Sequence, residues 1–358
     1  MSRWCVLPLF MLGAAALCVA QDSPEKILLK DYRPQSTYRI PRTNVTRAKF
    51  RVIDVHSHAY ARTAEEIDRW VATMDEAGIE KTLILTGATG EEFDRLNRMY
   101  SKHPDRFELW CGFDYTGYEK PGFGPAAVKE LERCVRAGAR GVGELSDKGQ
   151  GMHFGEAFAR GMHPDDARMD PLFEKCGELG IPVNLHVADP IWMYQKMDAT
   201  NDGLMNAWQW RLDNQPDIVG HAGMVEILER AAKRHPRTTF IACHFANLDY
   251  DLARLGELFD RNPNLYADIS ARYAETAPIP RFASAFITKY SGRLLYGTDM
   301  GFDPAMYRTT FRILESLDEH FYEHDLFGYH WALNGFGLPD AVLKRLYRDN
   351  AIKVRAKK

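Results

Sequence analysis

Eight short β-rich runs recur along this chain, and amphipathic stretches separate most of them. The runs are 52–56, 81–86, 107–113, 140–145, 182–187, 238–244, 264–270 and 293–298. The stretch AEEIDRWVATMDEAG precedes the second run and ends on Gly78, a residue that suits a helix stop. Similar stretches precede the fourth to eighth runs. Strands that alternate with helices predict a parallel sheet. Eight of them in 358 residues predict a (β/α)8 TIM barrel. The alternative is an open doubly wound sheet, but no glycine-rich dinucleotide fingerprint follows the first run. Two connections are long: 147–169 after the fourth strand and 188–222 after the fifth. Both belong at the C-terminal face of a barrel, where active sites of this architecture lie.

The ends of the chain need separate treatment. Residues 1–20 have Arg3 near the start, an apolar core from Val6 to Leu17, and Cys18 and Ala20 in the −3 and −1 places of a cleavage site. They read as a secretory signal peptide, so the protein is expected to be exported, either periplasmic or secreted. The polar residues 21–50, broken by Pro34 and Pro41, read as an N-terminal leader packed on the barrel, and 51–358 as the barrel itself. No later apolar stretch is long enough to span a membrane. The formal net charge is −3, which gives no basic surface for nucleic acid. Cys111, Cys134, Cys176 and Cys243 show no CxxC spacing, which argues against a cysteine zinc site. Export permits a disulfide among them without indicating a pairing.

The chemistry-bearing residues gather at strand ends. His56 and His58 close the first run in VIDVHSHAY. Side chains at i and i+2 of a strand point the same way, about 7 Å apart along the chain, so these imidazoles can converge on one metal ion. Glu144, His186, His244 and Asp299 close the fourth, fifth, sixth and eighth runs. Taken singly, each histidine reads more readily as a hydrogen-bonded scaffold residue than as a ligand, and each acid can cap the following helix. Six of them on one barrel face suit a divalent ion, zinc in the first instance, with an open position for water. Asp299 could both bind the ion and take the water's proton.

With the motifs DVHSH, NLHVAD, FIACHFAN, LLYGTDMG and GLPDAVLKRLYRDNAIKV, the chain resembles the amidohydrolase superfamily, specifically the amidohydrolase-2 family. That family is a distorted (β/α)8 barrel of metal-dependent hydrolases and some non-oxidative decarboxylases. The resemblance implies that His56, His58, His186 and Asp299 hold the metal. It makes His244 either the catalytic base and oxyanion stabiliser of a one-metal site or a ligand of a second ion. Glu144 either bridges two ions or orients a histidine. The implied activity is an exported metal-dependent hydrolase that cleaves a C–O or C–N bond (ester, lactone or amide) of a small-molecule substrate with a metal-activated water. The alternative is a non-oxidative decarboxylase of a small unsaturated or aromatic acid. A non-catalytic exported binding barrel would be expected to lose metal positions, and here all are present.

Other residues carry weaker expectations. Arg272, after the seventh run, is either a clamp for a substrate carboxylate or a surface ion pair. Trp192 and Tyr194, with Trp208 and Trp210, line a substrate pocket or brace the long loop. Asp189 holds a ligand histidine or caps a helix. His221 reads as structural, and His103, His235, His320 and His324 as solvated. A homo-oligomer is left open.

Overall fold

The computed structural model describes residues 23–154 and 157–355, so the signal-like segment 1–20 lies outside the described residues. The strands in chain order are β1 Val52–Ser57, β2 Ile79–Leu85, β3 Phe107–Trp110, β4 Val142–Asp147, β5 Gly151–Phe154, β6 Ala157–Arg160, β7 Val183–Val187, β8 Phe240–Ala242, β9 Leu265–Asp268 and β10 Leu294–Leu295. Each of the eight sequence runs holds a strand. The two extra strands, β5 and β6, form an antiparallel hairpin inside the connection that follows β4.

The other eight strands run parallel in the order β1-β2-β3 and β4-β7-β8-β9-β10. Backbone hydrogen bonds cross both gaps. Cys111 N–H reaches Gly141 O at 3.1 Å and Gly143 N–H reaches Cys111 O at 2.8 Å, joining β3 to β4. Val55 N–H reaches Tyr296 O at 3.0 Å and Asp299 N–H reaches His56 O at 2.9 Å, joining the last strand to the first. The chain is therefore an α/β barrel of parallel strands.

Inside the ring, Ile53, Val55, Leu83, Leu85, Trp110, Ile241, Tyr266 and Leu295 pack together from strands on opposite sides. Ala351 and Val354, on the last helix Asn350–Arg355, join that cluster. A larger apolar layer lies between strands and helices. Because the interior is filled with side chains, open polar chemistry is left to the strand ends.

Local signals set the helix bounds. In helix Ala64–Ala77 the Thr63 side chain accepts from Glu66 N–H, and Gly78 ends it in the left-handed region at φ 84°. Residues 23–50 are mostly exposed and anchored at points: Thr43 N–H and Oγ1 bond Asp318, Lys49 N–H bonds Glu315, and Ala48 is buried. Among the described residues no helix is long and apolar enough to cross a membrane. Cys111, Cys134, Cys176 and Cys243 are all buried and unpaired.

Candidate metal centre

β1 delivers His56 and His58, and their rings lie 5.5 Å apart. Glu144 comes from β4, His186 from β7, His244 follows β8, and Asp299 follows the last strand. The last strand can approach because Gly297 has no side chain: a Cβ there would stand 2.7 Å from the Cβ of His56. His244 and Asp299 both have positive φ, at 59° and 55°. Non-glycine residues hold that conformation only where their surroundings over-determine it, and such positions cluster at functional sites.

The outward nitrogen of each histidine follows from its inward partner. His56 Nδ1 lies 2.9 Å from Asp268 Oδ2, His58 Nδ1 2.9 Å from Leu85 O, and His244 Nδ1 3.0 Å from Ser270 O. All three acceptors take a proton, so in the neutral ring each Nε2 presents a lone pair. Those lone pairs face carboxylates. His58 Nε2 is 3.3 Å from Glu144 and 3.1 Å from Asp299. His56 Nε2 is 3.8 Å from each, and His244 Nε2 3.7 Å from each.

Lone pairs and carboxylates repel unless something positive lies between them, either protons or a cation. For His56 and His244 the gaps are too long for hydrogen bonds. His56 Nε2 is moreover a buried atom with no hydrogen-bond partner among the described residues. Two sets of ligand atoms lie within 4.8 Å of one another: His56, His58 and Asp299, and His56, Glu144, Cys243 and His244. This donor chemistry fits a divalent metal ion.

Without a cation, the carboxylates draw protons onto two of the three rings and leave the third neutral. Burial pulls His56 down, but Asp268, Asp299 and Glu144 outweigh it and push it up to about 9. His58 is raised too: burial opposes, and Asp299 and Glu144 prevail. Burial would raise Glu144 and Asp299, yet the histidines hold both below the ordinary carboxylate range. His244 goes the other way, to about 4, through burial first and then the charges of His186, Arg272 and His56. It is therefore a neutral imidazole in the working range.

The remaining candidates fall in different places. His186 sits beside the cluster, outside both ligand sets. Its Nδ1 is 2.5 Å from Glu144 Oε1 and its Nε2 3.1 Å from Asp189 Oδ1, while Asp189 Oδ2 pairs with Lys148. Asp189 thus holds a histidine, one of its two expected roles. Arg272 is not a surface residue: it is 7% exposed, and its Nε and Nη2 go to Asn247 Oδ1. Asp249 and Glu275 lie 3.7 Å away, so a substrate carboxylate would compete with two resident ones.

Trp192 packs near Tyr329 and Trp331, while the Tyr194 hydroxyl donates to Lys148 O. Trp208 and Trp210 are largely exposed. A cleft of about 390 Å³ opens beside His58, with Ala61, Arg62, Leu85, Leu96 and Met99 among its walls. His221 is buried and bonds Asn247 O, as a structural residue would. His235 overturns its expectation of solvation. It is 4% exposed, packs against Phe173, and reaches Asp170 at 3.1 Å, because it turns inward at the end of helix His221–Arg234.

Three residues of the site escaped the sequence reading. Asp268 orients His56, and its signal was its place at the end of the seventh run. Tyr60 donates its hydroxyl to Asp299 Oδ1 at 3.1 Å, just past the HxH pair. Cys243 was set aside for lack of a CxxC partner, a rule that suits local loops and not ligands drawn from separate strands.

The family model Amidohydro_2, described as amidohydrolase, matches residues 43–354. No curated protein matches the chain. Solved structures of similar fold include the uncharacterized TIM-barrel protein Bb4693 from Bordetella bronchiseptica, at 17% identity over 86% of this chain and 99% of that one, with a TM-score of 0.52. Another is 5-carboxyvanillate decarboxylase LigW from Sphingomonas paucimobilis, at 14% identity over 87% and 100%, with a TM-score of 0.51. A third, from Pseudomonas putida, is assigned as a 2-pyrone-4,6-dicarboxylic acid hydrolase, at 14% identity over 87% and 98%, with a TM-score of 0.50. At such identities the likeness speaks for the fold. The family match spans nearly the whole barrel, and with it this chain belongs to the amidohydrolase-2 family as an enzyme of the amidohydrolase type.

Proposed function

We propose that this enzyme is an exported hydrolase of a small ester, lactone or amide, working with zinc, as one ion or a close pair. The observation that carries the reading is the set of three histidine lone pairs turned toward Glu144 and Asp299. A divalent ion held there would polarise a substrate carbonyl and lower the pKa of a water molecule. Asp299 stays ionised beside it and is the group placed to take a proton. The Tyr60 hydroxyl occupies Oδ1 of Asp299 and fixes the direction of the carboxylate. His244, neutral and with its Nδ1 proton given to Ser270, presents an acceptor at Nε2. That supports a ligand or base role over an oxyanion donor.

Neighbours of the same fold include a decarboxylase and an assigned hydrolase, so fold alone does not choose between the two reactions. The choice of hydrolysis rests on Asp299 as a proton acceptor at the cluster. Running the active substrate in ¹⁸O-water is the test: hydrolysis puts label into the product. Evolution of CO₂ from an acid substrate, with unlabelled product, would replace this reading with decarboxylation. Export is supported by the pattern of residues 1–20. Mass analysis of mature protein from its native host should find Gln21 at the N-terminus, and an intact Met1 would refute it.

A further inference from the structure

We propose that Cys243 is a metal ligand, its sulfur joining His56, Glu144 and His244 around the inner position of the site. The result would be a mixed nitrogen, oxygen and sulfur site that favours zinc or another thiophilic ion over magnesium or calcium. The inference rests on the reading of the cluster as a cation site and adds to it the identity of one ligand.

Three observations carry it. First, Cys243 Sγ lies within 4.8 Å of ligand atoms of His56, Glu144 and His244, all of them mutually that close. Second, His56 Nε2, fully buried and without a partner, belongs to the same set. It is an unused donor that a proton or cation must satisfy. Third, the backbone accounts for two adjacent residues reaching one point. Neighbours along a strand point to opposite faces. Here β8 has ended at Ala242, and His244 turns into the left-handed region at φ 59°, the first of four consecutive residues there. That turn breaks the alternation and lets Cys243 and His244 converge.

The surroundings aim the thiol as they aim the imidazole. Cys243 Sγ donates to Asn184 Oδ1 at 2.9 Å. Asn184 Nδ2 donates to Asp268 Oδ2 at 3.2 Å, the same carboxylate oxygen that lies 2.9 Å from His56 Nδ1. One asparagine and one aspartate therefore position both the thiol and the histidine. The bond to Asn184 holds the thiol only while it is protonated; a bound cation would take the proton's place, since a coordinating thiol is deprotonated outright, and the sulfur would then move off Asn184 Oδ1 toward the ion. The S–H bond breaks, the sulfur–metal bond forms, and the proton passes to water.

The test uses the full mature chain, stripped of metal and reloaded with cobalt(II) or zinc(II). Cobalt-loaded wild type should show a thiolate-to-cobalt charge-transfer band in the near ultraviolet. Cys243→Ser, which keeps a hydroxyl for Asn184, should bind cobalt without that band, and its zinc affinity should fall by about tenfold or more. Circular dichroism checks the fold, and Cys243→Ala serves if the serine variant misfolds. Independently of any variant, X-ray absorption on zinc-loaded wild type should find a sulfur scatterer at about 2.3 Å. Cobalt binding without the band, zinc without sulfur, or a band that survives in Cys243→Ser overturns the proposal. Failure to bind either ion at saturation would instead defeat the cation-site reading beneath it.

Discussion

Two buried ionic clusters sit close together on this barrel, and they are completed in different ways. In the first, His56, His58 and His244 turn lone pairs toward Glu144 and Asp299, and His56 Nε2 has no partner. In the second, Arg272 lies among Asn247, Asp249 and Glu275. That cluster has two carboxylates for one guanidinium, so its charges do not balance as ions. It balances by keeping a proton: burial pushes Glu275 up to about 7 despite the pull of Arg272. The Tyr329 hydroxyl, 2.8 Å from Glu275, adds a further bond. The second cluster therefore balances its charge with groups the chain already carries, although Asp249 Oδ1 is itself buried without a hydrogen-bond partner among the described residues and burial raises Asp249 too. The first needs protons or a cation from outside. Neither buried charge nor a single partnerless atom marks a binding site by itself; several ligand atoms converging within 4.8 Å of one another do.

Removing Arg272 should give the largest effect. Arg272→Met strips the guanidinium from between Asp249 and Glu275, and should cost about 3–5 kcal/mol of stability, as broken buried pairs do. Chemical denaturation measures it. Cation affinity should not fall, because a positive charge near His244 is lost. A variant that keeps its stability but loses its metal would erase the distinction between the clusters.

An intermediate effect is expected from Asp268→Asn. It keeps the shape of the side chain but removes the charge that fixes His56. Metal affinity should drop about 10- to 100-fold, the usual result of losing a residue that orients a ligand. Competition with a chelator reads the change. Unchanged affinity would mean that His56 is oriented by packing alone.

Glu275→Gln should have the smallest effect, about 1 kcal/mol or less, because glutamine resembles the protonated acid already present. The sign follows from the raised pKa. The protonated carboxyl contributes its full stability below pH 4.5, its unfolded value, and loses that contribution as pH rises through about 7. The variant should therefore flatten the fall in stability across that window and at pH 8 be no less stable than wild type. Thermal melts at several pH values check it. A steeper fall in the variant would show that Glu275 is ionised and paired with Arg272.

Much of the frame was legible in the sequence because its signals are local. Strand runs, helix periods and the Gly78 stop depend on neighbours within a few residues, and all appear where those signals put them. One rule, that polar residues at barrel strand ends face the same side, picks out His56, His58, Glu144, His186, His244 and Asp299 from the sequence, and the structure brings them near one another. The same rule applied to the seventh strand would have added Asp268.

Only the tertiary structure could decide which of these groups meet. The left-handed turn at His244 brings in Cys243, which strand alternation would have turned away. His235 reads as solvated and Arg272 as a clamp or a surface ion pair, yet the folded chain buries both. His186, placed by its strand end, is drawn to Glu144 and Asp189 by contacts with other parts of the chain. The sequence by itself determined the barrel and the kinds of ligand it carries, because periodicity and residue chemistry are properties of short stretches. The distances that separate a ligand from a neighbour arise only when the ring closes and strands far apart in the chain come within reach of one another.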